Sequence, residues 1–452
     1  MKPSKFTKRE WSYIFYDWAE SCFTVIIGTF IFPSLYGILT SDAGLNPNVA
    51  DSIFGYIVAA ISLFIALLSP ILGTISDYQG YKKKFFRFFF LIGVVFTILL
   101  VFYPAVNERL WWVVLIPYVF ATIGYAGTNV FYDSFIVDAT TDENMDRVST
   151  TAYAFGYIGG STLPLIIAIV LLTILPNDTG MLSLFGLEIP YTVTTGFQLT
   201  FLITAFWWLG FSRPFRKNVT QIYGIAPEPH PVKKSFQRLF ATLKDAKRYK
   251  KVFLFLLAFF LYIDGVHTII NLAQRFADNA LEAVTAQNAN DILLPIFLAI
   301  QVAAFVFAMI FAKLSRKYKT EQLLFVTIGI YAFISLFGVF VTEVWHFWIL
   351  GMLVATSQGA VQSLSRSYFG KIIPKEKANE FFGLYTVFGR FAAILGPFIV
   401  SSVAFLVNLA SPDLPGGTMR YGVLALIVLF FAGGYLFYRA TKTPADYLKA
   451  EH

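Results

Sequence analysis

Twelve long apolar runs, separated by short polar segments, place the strongest constraint on how this chain can fold. Each run reaches about the 20 residues that an α-helix needs to cross the hydrocarbon core of a bilayer. The sequence therefore predicts an all-α membrane protein with 12 transmembrane helices, numbered spans 1 to 12 in chain order. The runs cover residues 12–39, 52–76, 86–104, 110–134, 149–175, 193–212, 252–273, 292–312, 322–342, 345–367, 380–407 and 420–438.

The composition agrees with insertion into a membrane. Apolar residues make up 57% of the chain and charged residues 14%, whereas a soluble domain carries about 25% charged residues. The net charge of +8 would suit nucleic acid, but the basic residues lie in short loops beside the apolar runs. That placement indicates lipid-side topology and no nucleic-acid partner. The one cysteine, Cys22, excludes a disulfide within the chain and a cysteine-rich metal site.

The positions of Lys and Arg predict the orientation of the spans. If the N-terminus lies in the cytoplasm, the inner segments hold 31 of the 35 basic residues. The outer segments then hold Arg109, Arg275 and Arg420, and span 11 holds Arg390. Because cytoplasmic loops are enriched in Lys and Arg, we expect both termini in the cytoplasm.

The longest inner segment, residues 213–251, divides the spans six and six. It contains eleven basic residues and prolines at positions 227, 229 and 231. We interpret it as a cytoplasmic linker, with a surface helix expected over residues 236–249. The predicted domains are an N-terminal six-helix bundle, 1–212, and a C-terminal six-helix bundle, 252–452.

A repeat relates the two bundles. A shift of 233 positions aligns residues 129–166 with 362–399 without a gap, and six of the 38 positions are identical. Chance similarity between two apolar segments is the alternative to a true repeat. The charges invert between the copies: Asp133 aligns with Arg366, Asp138 with Lys371, Asp142 with Lys375 and Arg147 with Glu380. A true repeat predicts that Asp133 and Arg366 meet as a gate at the cytoplasmic face.

The loop between spans 2 and 3 reads GTISDYQGYKKK from position 73. It resembles the signature of the major facilitator superfamily, Gly-x-x-x-Asp-x-x-Gly-x-basic-basic. The matching residues are Gly73, Asp77, Gly80, Lys82 and Lys83. The corresponding loop of the second half, residues 312–319, keeps only the basic residues, so we expect the second half to gate differently.

Each signature residue has a physical reason to stand where it does. Gly73 permits close approach of two helices, and Gly80 permits a tight turn. Asp77 is suited to accept from an inner cation or to lie at a helix N-terminus. Lys82 and Lys83 are expected to anchor to anionic headgroups.

Three further stretches narrow the resemblance: residues 16–19 in span 1, 262–268 in span 7 and 362–397 across spans 10 and 11. They look like the superfamily group that contains the fungal autophagy-related vacuolar amino-acid effluxers and bacterial relatives of unassigned substrate. The resemblance covers nearly the whole chain. It implies a secondary transporter that moves an amino acid or short peptide, with export favoured, by proton-coupled alternating access. It also implies a multi-pass monomer in the bacterial inner membrane, with membrane lipids around it.

Ionisable residues within the spans are the first candidates for transport, because burying a charge at the bilayer centre costs about 2.5–3.5 kcal/mol on insertion scales. Asp264 and His267 lie three residues apart in span 7, and Asn271 follows one turn later. Two roles are possible for Asp264 and His267: they carry a proton during transport, or they form a purely structural polar pair. Asp17 and Glu20 repeat this spacing in span 1, as proton carriers or as helix-end acids solvated by the cytoplasm.

Other polar residues form a stripe or stand alone. Asn129 and Asp133 share a face of span 4, while Gln358, Gln362 and Arg366 share a face of span 10, and such stripes must face protein or water. Arg390 in span 11 has no acid nearby in sequence. It could hold a substrate carboxylate in a bidentate contact, or it could pair with Asp17, Glu20 or Asp264.

The sequence motifs distinguish an enzyme from a transporter or receptor. The chain contains no H-E-x-x-H, G-x-S-x-G or P-loop motif, and its four histidines, at positions 230, 267, 346 and 452, are scattered. We therefore expect neither an enzyme nor a metal or other cofactor. A transporter of a small polar or zwitterionic solute is the main expectation. A lipid or amphiphile transporter, or a non-transporting receptor on the same fold, stays open.

Overall fold

The computed structural model describes residues 5–105, 108–176, 180–184, 187–226, 228–244, 247–280, 289–411, 418–445 and 447. Within them, eleven helical segments are long and apolar enough to cross a membrane, one fewer than the twelve predicted. The helix Val193–Phe211 coincides with predicted span 6 but is not one of the eleven. A short antiparallel hairpin, Met181–Leu184 with Leu187–Pro190, precedes it. The fold is otherwise helical, as predicted.

Several spans of the first half are interrupted helices. Span 1 comprises Lys8–Phe23, a π-helical stretch Thr24–Phe30, and Ile31–Asp42; span 2 is Pro47–Ser76. Span 3 is Tyr81–Leu99 with a 3₁₀ turn Leu100–Ala105, and span 4 is a 3₁₀ turn Glu108–Val114 with Leu115–Ser134, followed by Ile136–Ala139. Span 5 runs through Asp142–Phe155, Gly156–Thr162, Leu163–Ile169 and Val170–Ile174, and a short helix, Arg213–Asn218, follows Val193–Phe211.

The second half begins after the helix Pro231–Lys244. Span 7 is Lys250–Asn271, followed by Ala273–Ala280; span 8 is Ala289–Leu314; span 9 is Thr320–Phe337 with Gly338–Phe340; span 10 is Val344–Ile372. After the turn Lys375–Lys377, span 11 comprises Ala378–Phe391 and Leu395–Ala410, and span 12 comprises Met419–Ala425 and Ile427–Lys442.

Local sequence signals set several helix ends. The Thr7 hydroxyl accepts from the backbone N–H of Glu10 at 3.2 Å, and the Glu10 carboxylate accepts from the Thr7 N–H at 2.7 Å. This capping box starts span 1. Asn46 caps span 2, with Pro47 in the first turn. Gly80 has φ +83°, a backbone conformation that glycine adopts without strain, and it makes the predicted turn between spans 2 and 3.

The predicted surface helix of the linker begins earlier than expected. The structure places it at Pro231–Lys244 rather than 236–249, because proline is favoured in the first turn of a helix. Residues 245–246 lie outside the described residues, and Lys250 begins span 7.

The main contacts between the two halves are made by spans 2 and 5 of the first half. Span 2 packs along Ala378–Phe391 of span 11, and span 5 packs against spans 8 and 10. Two glycines permit the first contact: a side chain at Gly73 would overlap the backbone of Asn379, and one at Gly383 would overlap the backbone of Ser69. Gly73 thus allows the close helix approach expected of it.

Span 11 is broken. Residues 392–394 are not helical, so Arg390 lies at the end of one half-helix and Gly396 at the start of the next. A break inside a membrane span exposes backbone N–H groups, which need partners within the protein.

We predict that Gly383→Leu lowers the stability of the folded protein, because the new side chain would overlap the span 2 backbone. Overpacking of this kind costs about 1–3 kcal/mol. Thermal unfolding in detergent measures the loss. Gly55→Leu is the matched control, since no atom lies within 4 Å of a side chain added there. Equal stability of the two variants would contradict the close contact between spans 2 and 11.

Candidate functional site

A cavity of about 340 Å³ lies between spans 2, 4, 7 and 11. Its size is within the range of pockets that bind small molecules. The polar side chains that line it are Ser62, Asn129, Asp133, His267, Thr386 and Arg390, together with Tyr385. The cavity therefore presents an anion and a cation, from opposite halves of the chain, to the same space.

Arg366 of span 10 is the most heavily bonded cation in the described part of the chain, and its side chain is only 2% exposed. Its Nη1 donates to Asp133 Oδ1 at 3.1 Å and its Nη2 to Asp17 Oδ2 at 3.3 Å. Its Nε donates to the Ser149 hydroxyl at 3.0 Å, and Nη2 also donates to the Ser149 carbonyl at 3.3 Å. Spans 1, 4 and 5 of the first half therefore converge on one side chain of the second half.

Tyrosine rings complete the surroundings of Arg366. Its guanidinium carbon lies 4.7 Å from the Tyr153 ring centre, 5.2 Å from that of Tyr132 and 5.4 Å from that of Tyr13. Aromatic faces attract cations at such distances. The Tyr132 hydroxyl also donates to Asp17 Oδ2 at 2.7 Å. We call Asp17, Asp133, Ser149 and Arg366, with these three rings, the Arg366 cluster.

More contacts between the halves lie towards the end of the bundle where spans 2 and 3, 4 and 5, and 10 and 11 are joined, which we call the charged end. Lys371 Nζ donates to Asp146 Oδ2 at 2.7 Å, and the Ser367 hydroxyl donates to Asp146 Oδ1 at 2.6 Å. Lys375 pairs with Asp142 at 3.1 Å. Ion pairs thus connect the two halves at several levels, from the Arg366 cluster to the charged end.

Two of the four inverted pairs of the repeat are in contact, Asp133 with Arg366 and Asp142 with Lys375. The other two are not. Asp138 pairs with Lys82 at 2.7 Å and accepts from the backbone N–H groups of Ile222 and Tyr223 at 2.7 and 3.0 Å. Lys371, with which Asp138 aligns in the repeat, binds Asp146 instead.

The fourth pair also fails to form. The Arg147 guanidinium lies 3.8 Å from the ring centre of Phe6. Both carboxylate oxygens of Glu380 are buried, and they accept no hydrogen bond from the residues that the structure describes. Alignment of charges gives the depth of a residue in the bundle but not the direction of its side chain, so aligned residues of opposite charge need not meet.

Asp77 of the signature joins the two halves in the way expected for a helix N-terminus. Its Oδ1 accepts from the Asn379 N–H at 2.9 Å and its Oδ2 from the Glu380 N–H at 3.1 Å. These N–H groups begin the half-helix Ala378–Phe391, whose dipole favours a negative charge there. Burial raises the pKa of Asp77 well above its usual value, and the nearby Glu380 carboxylate raises it further. Protonation of Asp77 would weaken this contact.

The expectation that the signature lysines bind lipid headgroups is wrong. Lys82 is 1% exposed and bonded to Asp138, while Lys83 Nζ donates to the carbonyl of Val219 in the linker at 2.8 Å. Both amines reach partners within the protein because Gly80 turns the chain back towards the first half and the linker packs against this loop. The lysines therefore fix the loop to the linker.

The two acids of span 1, Asp17 and Glu20, are buried within the protein. Asp17 is 5% and Glu20 7% exposed, so neither is a helix-end acid solvated by the cytoplasm. Asp17 belongs to the Arg366 cluster, and Glu20 Oε2 accepts from Asn129 Nδ2 at 3.0 Å. Because Asn129 lines the cavity, Glu20 is linked to it through one amide.

Span 7 separates two residues that were expected to act as a pair. His267 lines the cavity, whereas Asp264 is fully buried and accepts from the Gly396 N–H at 3.0 Å. Asp264 thus supplies a partner for an N–H exposed by the break in span 11, as an N-cap does within one helix. Thr268 also donates to it, at 3.5 Å.

Arg390 has no ion-pair partner among the described residues. No carboxylate there lies within 4.0 Å of it, and Asp17, Glu20 and Asp264 each have the other partners given above. The alternative of pairing with one of these acids is therefore wrong. Its guanidinium faces the cavity instead.

Three other candidates lie outside the cavity lining. Asn271 is exposed at the end of the span 7 helix, and Gln358 and Gln362 are half-buried on span 10. Sequence reasoning missed Asp146, whose aligned partner Asn379 is neutral, so a search for inverted charges passes over it. It also missed the tyrosines around Arg366, which no polar pattern distinguishes from the other aromatic residues of the spans.

Comparisons with known proteins show the family of this chain. The family described as vacuole effluxer Atg22 like matches residues 43–442. A protein of Bacillus subtilis (strain 168) named as an uncharacterized MFS-type transporter, YxiO, is 41% identical over 95% of this chain and 94% of its own. The chain belongs to this Atg22-like family.

More distant relatives extend the comparison. Autophagy-related protein 22 of Yarrowia lipolytica (strain CLIB 122 / E 150) is 26% identical over 57% of this chain and 45% of its own. The crystal structure of the MFS transporter FucP in the outward conformation has a TM-score of 0.66 at 13% identity, over 96% of this chain and 99% of that one. The fold is that of the major facilitator superfamily, and the chain is a multi-pass membrane protein, consistent with the bacterial inner membrane.

We predict that Arg366→Gln destabilises the protein, because it leaves Asp17 and Asp133 buried without their cation. Breaking a buried ion pair on one side costs about 3–5 kcal/mol. Arg390→Gln is the matched control, since it removes a cation that no carboxylate pairs with in the described part of the chain. Unfolding in detergent by chemical denaturant compares the two.

Neutralising the acids sharpens this test. Asp17→Asn with Asp133→Asn in the Arg366→Gln background should recover most of the lost stability, since no uncompensated charge is left. A loss that is equal in Arg366→Gln and Arg390→Gln, or that the added substitutions do not relieve, would show that the Arg366 cluster is not an electrostatic unit.

Proposed function

We propose that this chain is a proton-coupled secondary transporter that exports an amino acid or short peptide by alternating access. The observation that carries the proposal is that Asp133 and Arg390, of opposite charge, line the same 340 Å³ cavity from opposite halves. A zwitterion offers a carboxylate to Arg390 in the bidentate geometry that a guanidinium favours, and an ammonium group to Asp133.

The same acid ties the cavity to the contact between the halves. Asp133 is 26% exposed in the cavity and is bonded to Arg366. A proton on Asp133 weakens its attraction for Arg366, and the Arg366 cluster then holds the charged end together less strongly. Protonation of Asp133 thereby favours opening at that end, and its deprotonation favours closing, which is the coupling that alternating access requires.

Several residues support proton coupling. His267 lies in the cavity and its imidazole can bind a proton, and Glu20 is linked to the cavity through Asn129. Asp264 is a weaker candidate than its sequence position suggested, because its carboxylate is engaged with the half-helix at Gly396. Asp133, Glu20 and His267 are the proposed proton-binding groups.

The topology completes the proposal. We propose twelve spans with Val193–Phe211 as the sixth, two six-helix bundles at 1–212 and 252–452, both termini in the cytoplasm, and a working monomer. The charged end is then the cytoplasmic end. Export is favoured because the matching family is described as effluxers. Lipid or amphiphile transport is the second candidate, and the opposite charges of Asp133 and Arg390 in one cavity favour a zwitterion over it.

A ligand screen tests the substrate class. Purified protein is heated in the presence of amino acids, dipeptides, sugars or lipids, because a bound solute raises stability by about 2.7 kcal/mol at a hundredfold excess over its Kd. We expect stabilisation by zwitterions. Arg390→Gln should weaken their binding about 10- to 100-fold, the loss expected for a hydrogen bond to a charged group.

Asn271→Ala, outside the cavity lining, is the control and should bind as the unaltered protein does. Stabilisation by sugars or lipids alone, or unchanged zwitterion binding in Arg390→Gln, would contradict the proposed substrate class.

A charge exchange tests the contact between the halves. Asp133→Arg and Arg366→Asp should each lower the thermal stability of the purified protein in detergent. Asp17 also contacts Arg366 and would repel an acid placed there, so the exchange is made with Asp17→Asn, and the Asp17→Asn variant is the reference. We expect the exchanged protein to recover the stability that each single change removes but not transport, because Asp133 also binds the ammonium group and the proton. No recovery of stability would show that this pair does not hold the two halves together.

A further inference from the structure

One side of the linker helix Pro231–Lys244 is covered by the bundle, and an apolar stripe beside it is exposed. Leu239, with Ser235 and Thr242, is buried against the bundle. The apolar stripe is exposed: Val232 by 53%, Phe236 by 38%, Phe240 by 67% and Leu243 by 42%. These four residues are spaced by four, four and three positions, so they form one continuous face of a helix. An exposed apolar face of this kind marks an interaction surface.

The linker helix lies beside the ends of two membrane spans. Arg238 donates from Nη2 to the carbonyl oxygen of Thr74, and its guanidinium lies 4.8 Å from the ring centre of Tyr78. Thr74 is in the last turn of span 2, which ends at Ser76. At its other end the helix is followed within six residues by span 7, which begins at Lys250. The helix is therefore fixed at the depth where two membrane spans end.

The charge of the segment matches one kind of partner. Residues 231–251 contain eight Lys and Arg residues and one acid, Asp245. By helical spacing, Lys233 and Lys244 border the exposed apolar stripe, and both are exposed. Apolar residues bordered by lysines are the pattern of helices that lie in the headgroup region of a bilayer, where anionic lipids attract basic residues.

We propose that Pro231–Lys244 is an interfacial helix that lies on anionic phospholipids, with Phe236 and Phe240 among the upper acyl chains and Lys233 and Lys244 at the phosphates. Its other face stays on the bundle through Arg238 and Leu239. A second copy of the chain or a soluble protein fits less well, because the face lies at the membrane boundary and its charge complements a lipid surface.

The test places a polarity-sensitive fluorophore on the full-length protein. Cys22, the one native cysteine, is buried, so a label attaches at Phe240→Cys or at the matched control Ala241→Cys, which is exposed on another face of the same helix. Both variants are placed in vesicles of phosphatidylcholine with or without phosphatidylglycerol. We expect the label at 240 to emit at shorter wavelength and to be quenched by brominated lipids, more strongly with phosphatidylglycerol. The label at 241 should be quenched by aqueous iodide.

Charge reversal gives a second measurement. Lys233→Glu with Lys244→Glu should remove the effect of phosphatidylglycerol on the label at 240. Equal quenching by iodide at 240 and 241 would overturn the proposal. So would protection at 240 that is lost when the protein is diluted in the membrane, because that result indicates contact between copies of the chain. Neither measurement depends on transport.

Discussion

The contacts between the two halves depend on Arg366, a buried cation that needs anionic partners. Arg366 is buried at the contact between the halves, where an uncompensated charge costs several kcal/mol. Its partners come from three spans of the opposite half, through Asp17, Asp133 and Ser149. A buried pair of this kind adds little net stability, but breaking it on one side is expensive. It therefore specifies one arrangement of the two halves, and the proposed function makes the charge of Asp133 the switch between arrangements.

The break in span 11 is the second constraint, and it lies beside the first. It places Arg390 at the cavity and exposes N–H groups at the start of the next half-helix, one of which Asp264 accepts. At the other end of the same span, Asp77 accepts the N–H groups of Asn379 and Glu380. Two carboxylates, one from the loop after span 2 and one from span 7, thus hold the N-termini of both half-helices of span 11. Movement of span 11 requires these contacts to loosen.

Much of this arrangement could be predicted from the sequence, for identifiable reasons. The length of the apolar runs predicts the spans, and the signature at Gly73–Gly80 predicts the family. The inverted charges predict the Asp133–Arg366 contact because the two halves bring equivalent residues to the same depth. Side-chain direction is not encoded in that pattern, so Asp138 and Glu380 do not meet the residues with which they align. The pattern also gives no sign that span 11 is broken, since residues 392–394 are as apolar as their neighbours. The role of Asp264 depends on that break.

In the proposed function the Arg366 cluster holds the charged end closed. Spin labels at Glu143→Cys and Glu376→Cys test this directly, because these exposed residues are the aligned positions of the two halves near that end. Electron–electron double resonance measures the distance between them in a bilayer. We expect one short distance when the cluster is intact, and a second, longer distance when Arg366→Gln is added. An unchanged distance distribution in Arg366→Gln would show that the cluster does not hold this end closed.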